Sequence, residues 1–282
     1  MKIAFLTDSG SGLSIDEMAS KSIFSLPLQI LIDGKNYFDL EEIKPGELIA
    51  YLKENKNPKT SLPALGLTDD LFAKLKKEGF EKVIAVPICS GLSGCMNSLY
   101  ICAQQNNLPI VCLDTFTTVA IQRYLIEYLK EAIGDLKIDE KLALANANEV
   151  INSCNTLIVP YDLSHLKRGG RLSSSALALA NLFKIKPVLH INKDTLGKID
   201  VLAKVRTFKR ALDYVIDTIV NDIDSDKYII YIAHVDAYGD ALGIKEKLAL
   251  KLNNPIEIIP LCNPVAAHCG LNSIAIQYFK RI

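Results

Sequence analysis

Apolar runs of strand character alternate with helix-period stretches through the first part of the chain. Residues 2–6, 26–32, 82–88, 109–114 and 156–160 read as strands, and residues 45–54, 68–78, 96–105, 117–133 and 139–152 read as helices between them. Strands separated by helices predict a mainly parallel sheet with helices on both faces. The strands are near-continuous hydrophobic runs, as sheets buried on both sides require. After residue 160 the rhythm changes. Two strand-like runs, 186–192 and 198–205, are joined through a hairpin signal at 193–197. A helix at 208–220, a strand at 228–235, a helix at 238–252, a strand at 256–261 and an apolar stretch from Asn272 follow. The fold class is therefore α/β. The expected division is a domain at 1–160 with the mainly parallel sheet and a second α/β domain at 161–282 with a mixed sheet.

Composition narrows the function classes. The 282 residues are 49% hydrophobic and 23% charged, ordinary for a folded chain that needs no disulfide or structural metal. The 32 basic and 32 acidic residues cancel, which argues against a general nucleic-acid binder. Tryptophan is absent and aromatics are 7%, so a base-stacking platform is not expected. No apolar run approaches a membrane span, and the N-terminal run before Asp8 is too short for a signal peptide. The expected location is the cytoplasm, without stable membrane insertion. Seven scattered cysteines form no CxxC pair and read as free thiols. His165, His190, His234 and His268 make no HxH or HxxxH pair, so no metal site is expected.

Charge is uneven along the chain. Residues 161–210 hold eleven basic residues, Lys184 among them, against three acids. Such a stretch is either a solvated face or a docking surface for an acidic partner or phosphorylated ligand.

Four segments can carry chemistry. Ser90-Gly91-Leu92-Ser93-Gly94 follows a predicted strand and opens a helix, where free backbone N–H groups and the helix dipole favour an anion. Ser93 can equally cap that helix. Thr60-Ser61-Leu62-Pro63 reads as a stiff loop presenting two hydroxyls, or as an ST-turn. Asp8-Ser9-Gly10 and Asp114-Thr115 close two strands at the same predicted sheet edge, where they shape the site or cap helices. Lys167-Arg168-Gly169-Gly170-Arg171 places three cations around a glycine turn that no buried core accepts. The chain order Ser93, Asp114, His268 also admits a serine hydrolase acting on a lipid ester. Its Gly91-Leu92-Ser93-Gly94-Cys95 segment, however, lacks the Gly-x-Ser-x-Gly spacing of a nucleophile elbow.

Together with Thr7-Asp8-Ser9, Leu26-Pro27-Leu28, Ile185-Lys186-Pro187, Lys204-Val205-Arg206 and His268-Cys269-Gly270, these segments make the whole chain resemble the DegV family, the fatty-acid-binding subunits of the bacterial fatty acid kinase system. The resemblance implies one long-chain fatty acid, palmitate being the reference case, buried between two α/β domains. It implies no catalytic residue and no cofactor. It implies that Thr60, Ser61, Ser93 and Gly94 hold the carboxylate, with Arg206 and His268 beside it. It also implies that a separate fatty acid kinase phosphorylates that carboxylate, docking at Lys167, Arg168 and Arg171. The chain departs from the family's usual pattern at Cys95, where threonine is usual, and at Leu271-Asn272, where Pro-Gly is usual. A carrier that borrows a kinase agrees with the lack of a Gly-x-x-x-x-Gly-Lys-Ser/Thr loop.

Overall fold

A computed structural model describes residues 1–179 and 185–282; Lys184 of the basic stretch lies outside the described residues. The strands in chain order are β1 (Ile3–Asp8), β2 (Phe24–Leu26), β3 (Gln29–Ile32), β4 (Lys35–Phe38), β5 (Lys59–Ser61), β6 (Lys82–Val86), β7 (Ile110–Cys112), β8 (Asn155–Val159), β9 (Lys186–Ile191), β10 (Asp200–Val205), β11 (Tyr228–His234), β12 (Ile256–Pro260) and β13 (Ile274–Lys280). They form a four-stranded sheet in the order β2-β1-β6-β7, a six-stranded sheet β10-β9-β8-β13-β11-β12 and a three-stranded sheet β4-β3-β5. The first is parallel throughout. The second is antiparallel except where β11 runs parallel to β12. The α/β class, the parallel sheet and the mixed sheet are thus as the sequence predicts.

The hydrophobic clusters show how the layers stack. Phe5 and Ile84 of the parallel sheet pack with Ile121, Leu125 and Leu129 of the helix Ala120–Leu129 and with Ala143 and Ala147 of the helix Glu140–Ser153. The same cluster includes Tyr231 and Phe279 of the six-stranded sheet, so these helices are a layer between the two sheets. The outer face of the parallel sheet is closed by the helices Leu65–Lys77 and Cys95–Gln105. The far face of the six-stranded sheet is closed by Phe208–Asp222 and Tyr238–Ala249. Burial on both faces explains why β11, in the sheet interior, is an unbroken apolar run from Tyr228 to Ala233.

Several elements differ from the sequence pattern. The run 26–32 is two strands in different sheets. Pro27 has no N–H for a ladder, and the Leu28 N–H goes instead to Ser9 Oγ at 3.0 Å. The expected helix 117–133 is α-helical from Ala120 to Leu129 and then widens into a π-helix over Lys130–Asp135. The basic glycine segment is not a free turn: Lys167, Arg168 and Gly169 end a helix, Leu163–Gly169, where cations complement the dipole. Strand β8, expected at the end of the first domain, has its ladder partners β9 and β13 in the six-stranded sheet. Among the described residues no helix is long and apolar enough to cross a membrane, and no cluster of His, Cys, Asp or Glu is placed to hold a metal ion.

Candidate functional site

β5, the loop after β6, the segment around Gly169 and the helix Asn263–Cys269 meet at a cavity of about 240 Å³. Thr60, Ser61, Ser93, Gly94, Arg171 and His268 all line it. Arg206 does not. It is exposed, just past β10, whose other end begins beside the cavity-lining Ile199. At about 3.3 Å per residue, the seven positions from Ile199 to Arg206 span roughly 20 Å.

Thr60 and Ser61 sit on a strand rather than a loop, since Thr60 pairs with Ile30 and Ser61 with Gln29 of β3. Three residues are too few for a period-2 signal. The Thr60 hydroxyl lies 2.7 Å from His268 Nε2. Burial, reinforced by the Arg171 and His165 charges, pushes His268 down to about 4. His268 is therefore a neutral imidazole at pH 7, and Arg171 is the cation of this cavity. The Arg171 Nε donates to the Leu92 carbonyl at 3.3 Å, and Nη1 to the Gly169 carbonyl. A guanidinium has five N–H donors, so these two bonds leave others for an anion.

The two adjacent glycines have different causes. A Cβ on Gly169 would lie 2.4 Å from His268 Nδ1, so only glycine lets this helix end press against the imidazole. Gly170 ends the helix at φ +70°, the left-handed cap.

The Ser93 hydroxyl accepts from the Cys95 N–H at 3.2 Å, a local turn bond just before the helix Cys95–Gln105, whose N-cap is Gly94, and Ser93 lines the cavity. Below it, Asp8 is fully buried and accepts from the Ile88 N–H (2.8 Å), the Gly10 N–H (2.9 Å) and Gln122 Nε2 (2.9 Å). Cys95 supplies a fourth donor to Asp8 through its thiol at 3.4 Å. Asp8 thus fixes the start of the Ser93 loop. Asn272 takes φ +59°, a left-handed conformation asparagine tolerates, and donates its N–H to the Val235 carbonyl.

Asp114 is directed elsewhere. It accepts from the Ser90 hydroxyl and from the Phe116 N–H, and His268 has Thr60 as its partner. The relay that a Ser93 hydrolase needs, acid to histidine to serine, is not assembled.

Two further spaces adjoin the cavity. On one side, a cleft of about 300 Å³ shares Thr60, Arg171 and His268 with it and adds Lys59, His165 and Arg168. Inward, a cavity of about 40 Å³ with almost wholly apolar walls shares Leu92, Ile199 and Val265 with it. Lys167 is exposed, one residue before Arg168. Sequence reading missed the three shared apolar residues, which come from three distant segments with no common period.

A family model described as an uncharacterised protein of the DegV family matches residues 2–281. A DegV domain-containing protein of Streptococcus pneumoniae is 30% identical over 289 residues, covering 100% of both chains. Among solved structures, a fatty acid binding DegV family protein from Streptococcus agalactiae is 31% identical, with a TM-score of 0.90 and 100% of both chains covered. DegV, a fatty acid binding protein from Bacillus subtilis, has the same fold at 24% identity, with a TM-score of 0.87 and 100% of both chains covered. With its whole length matched by the family model and by relatives at this identity, the chain belongs to the DegV family.

Proposed function

We propose that this chain holds one long-chain fatty acid, with its carboxylate among Thr60, Ser93 and Arg171 and its tail directed inward, and presents that carboxylate to a separate kinase. The observation that carries the reading is the set of adjoining spaces: a cleft edged by Lys59, Arg168 and Arg171, a cavity where Thr60, Ser61 and Ser93 meet Arg171, and an apolar cavity that shares walls with it. An amphiphile with an acidic head fits that arrangement. The 31%-identical Streptococcus agalactiae protein, described as fatty acid binding, supports it. In the complex Leu92, Ile199 and Val265 part to let the tail through.

The energetics favour the tail. A 16-carbon chain offers about 14 methylenes at roughly 0.8 kcal/mol each, a gross term of about 11 kcal/mol. The head must then recover its lost hydration. With the proton on Nε2, neutral His268 donates to Thr60 Oγ1 and turns the Thr60 hydroxyl proton toward the carboxylate. Arg171 supplies the countercharge. In the kinase complex a carboxylate oxygen attacks the γ-phosphorus of ATP, a C–O–P linkage forms and ADP leaves. Lys167 and Arg168, exposed at the helix end beside the cleft, are the docking cations.

Mass spectrometry of organic extracts from freshly purified protein should find a stoichiometric long-chain fatty acid. No acyl ligand, and no uptake of added palmitate or oleate, would sink the reading. Ser93→Ala removes one donor to a charged group, worth about 1.5–3 kcal/mol. Palmitate Kd should rise about tenfold to hundredfold, with acyl-phosphate formation falling alongside; unchanged values would remove Ser93 from the head site. Arg168→Ala should reduce acyl-phosphate formation, assayed with a fatty acid kinase and ATP, far more than palmitate retention. Equal losses, or none in either, would remove Arg168 from the docking surface.

A further inference from the structure

The helix Asn263–Cys269 brings Pro264, Val265, His268 and Cys269 to the wall of the head cavity. Its first residue, Asn263, is buried, and its Nδ2 donates to Asp39 Oδ1 at 2.8 Å and to the Ile43 carbonyl at 3.2 Å. Both acceptors belong to one tight loop after β4. The Asp39 N–H donates to the Leu28 carbonyl, and the Leu40 N–H donates to the Ile43 carbonyl. Leu40 is held at φ +63°, a left-handed conformation in which a bulky side chain is an outlier. Such strain persists only where the surroundings over-determine it. The loop is thus shaped around the Asn263 amide.

Asp39 is 1% exposed, and its second oxygen, Oδ2, has no hydrogen-bond partner. The charged and titratable groups around it do not answer it. Lys44, on the same loop, turns its Nζ to the Leu40 carbonyl. Asp8, at the end of β1, is another carboxyl, and burial keeps the Cys262 thiol, just before the helix, protonated. A buried carboxylate with a free oxygen and no countercharge costs stability. Proteins break such a rule at functional sites.

We infer that Asp39 is a positioning residue of the head cavity: its ionised form, acting through Asn263, seats the helix that holds His268 and Val265 against the fatty acid, and a proton on its free oxygen loosens that seat. This rests on the fatty-acid reading above. The physical difference between the two forms is that a hydrogen bond to a charged acceptor is roughly twice as strong as one to a neutral acceptor.

The test compares wild type with Asp39→Asn, which keeps the shape and the acceptor and removes the charge. Palmitate Kd is measured for the two side by side, so that the titration of palmitate itself cancels. At pH 7.5 the variant should bind about fivefold more weakly. At pH 5 the two should agree, because burial raises Asp39 to about 6 and wild type is then protonated there. Equal affinities at both pH values, or a variant weaker by the same factor at both, would overturn the inference. In an Asn263→Ala background the pH-dependent difference should vanish; its persistence would show that Asp39 does not act through Asn263. A lipid-free readout separates this inference from the fatty-acid reading. The His268 Cε1–H resonance of delipidated wild type should move in a step near pH 6, apart from the ring's own titration near pH 4, and Asp39→Asn should lack that step. A wild type without the step, or a variant that keeps it, would overturn the inference. The expected step together with no uptake of palmitate would overturn the fatty-acid reading alone.

Discussion

Gly91→Ala is expected to disrupt the head cavity and lower stability together. A Cβ at this position would lie 2.1 Å from the Gly197 carbonyl oxygen and 2.2 Å from its carbon, and both are backbone atoms that no rotamer change can move. Gly91 lies on the Ser93 loop; Gly197 lies in the connection between β9 and β10, two residues before the cavity-lining Ile199. Relief requires one of these segments to retreat. Either retreat moves Leu92 away from Ile199, and both are shared walls of the head and tail cavities. Overpacking of this kind costs about 1–3 kcal/mol, which for a domain this size lowers the melting temperature by several degrees, at roughly 2–4 °C per kcal/mol. Palmitate retention should fall at least about tenfold, because the tail contributes most of the affinity. Gly66→Ala is the control: its Cβ meets nothing within 4 Å, and it lies inside the helix Leu65–Lys77, where alanine is favoured. Its melting temperature should match or exceed wild type. A Gly91→Ala protein that melts and retains lipid like Gly66→Ala would show that the close approach has no role in the site.

The same pair of glycines marks what the sequence can and cannot disclose. The alternation of apolar runs and helix periods is a local signal, and it finds the parallel sheet and the hairpin of β9 and β10. The glycines of the Ser93 loop read as anion-binding elements. Gly91 in fact answers to a backbone 106 positions away, and no period or spacing encodes such a contact. Thr60 and Ser61 were legible as paired hydroxyls, but a three-residue strand carries too little pattern to be told from a loop. Arg171 was legible as a surface cation; that it lines the cavity depends on the helix end at Gly169 pressing on His268. Arg206 reads as a site residue by resemblance alone, and its place past the far end of β10 keeps it off the cavity wall. The buried polar residues were the least legible. Asp39 holds Asn263 Nδ2 at 2.8 Å and so anchors the helix that carries His268, across 224 positions of chain.

That anchor and His268 should give this protein two opposed pH dependences. Burial raises Asp39 from 3.8 to about 6, against the lowering effect of its hydrogen bonds to Asn263 and the Leu40 N–H. The folded state therefore binds the Asp39 proton more tightly than the unfolded state does. Its stabilising contribution is complete below pH 3.8 and is lost as pH rises through 6. His268 has the reverse sign. Its value falls from 6.5 to about 4, so the folded state favours the neutral ring; that contribution is complete above pH 6.5 and is lost as pH falls through 4. Each shift of somewhat over two pKa units corresponds to about 3 kcal/mol. Between pH 4 and 6 the two contributions change in opposite directions and largely cancel. Each single substitution should expose the other. Relative to wild type, Asp39→Asn should gain about 3 kcal/mol between pH 4 and pH 7, because the unfavourable buried charge is gone. His268→Gln should lose about the same amount over that interval. Urea unfolding of the three proteins at pH 4, 5, 6 and 7 measures both differences. Diverging curves, one variant above wild type toward neutral pH and the other toward acid, are the expected result. Parallel curves would mean that neither side chain changes its proton affinity on folding.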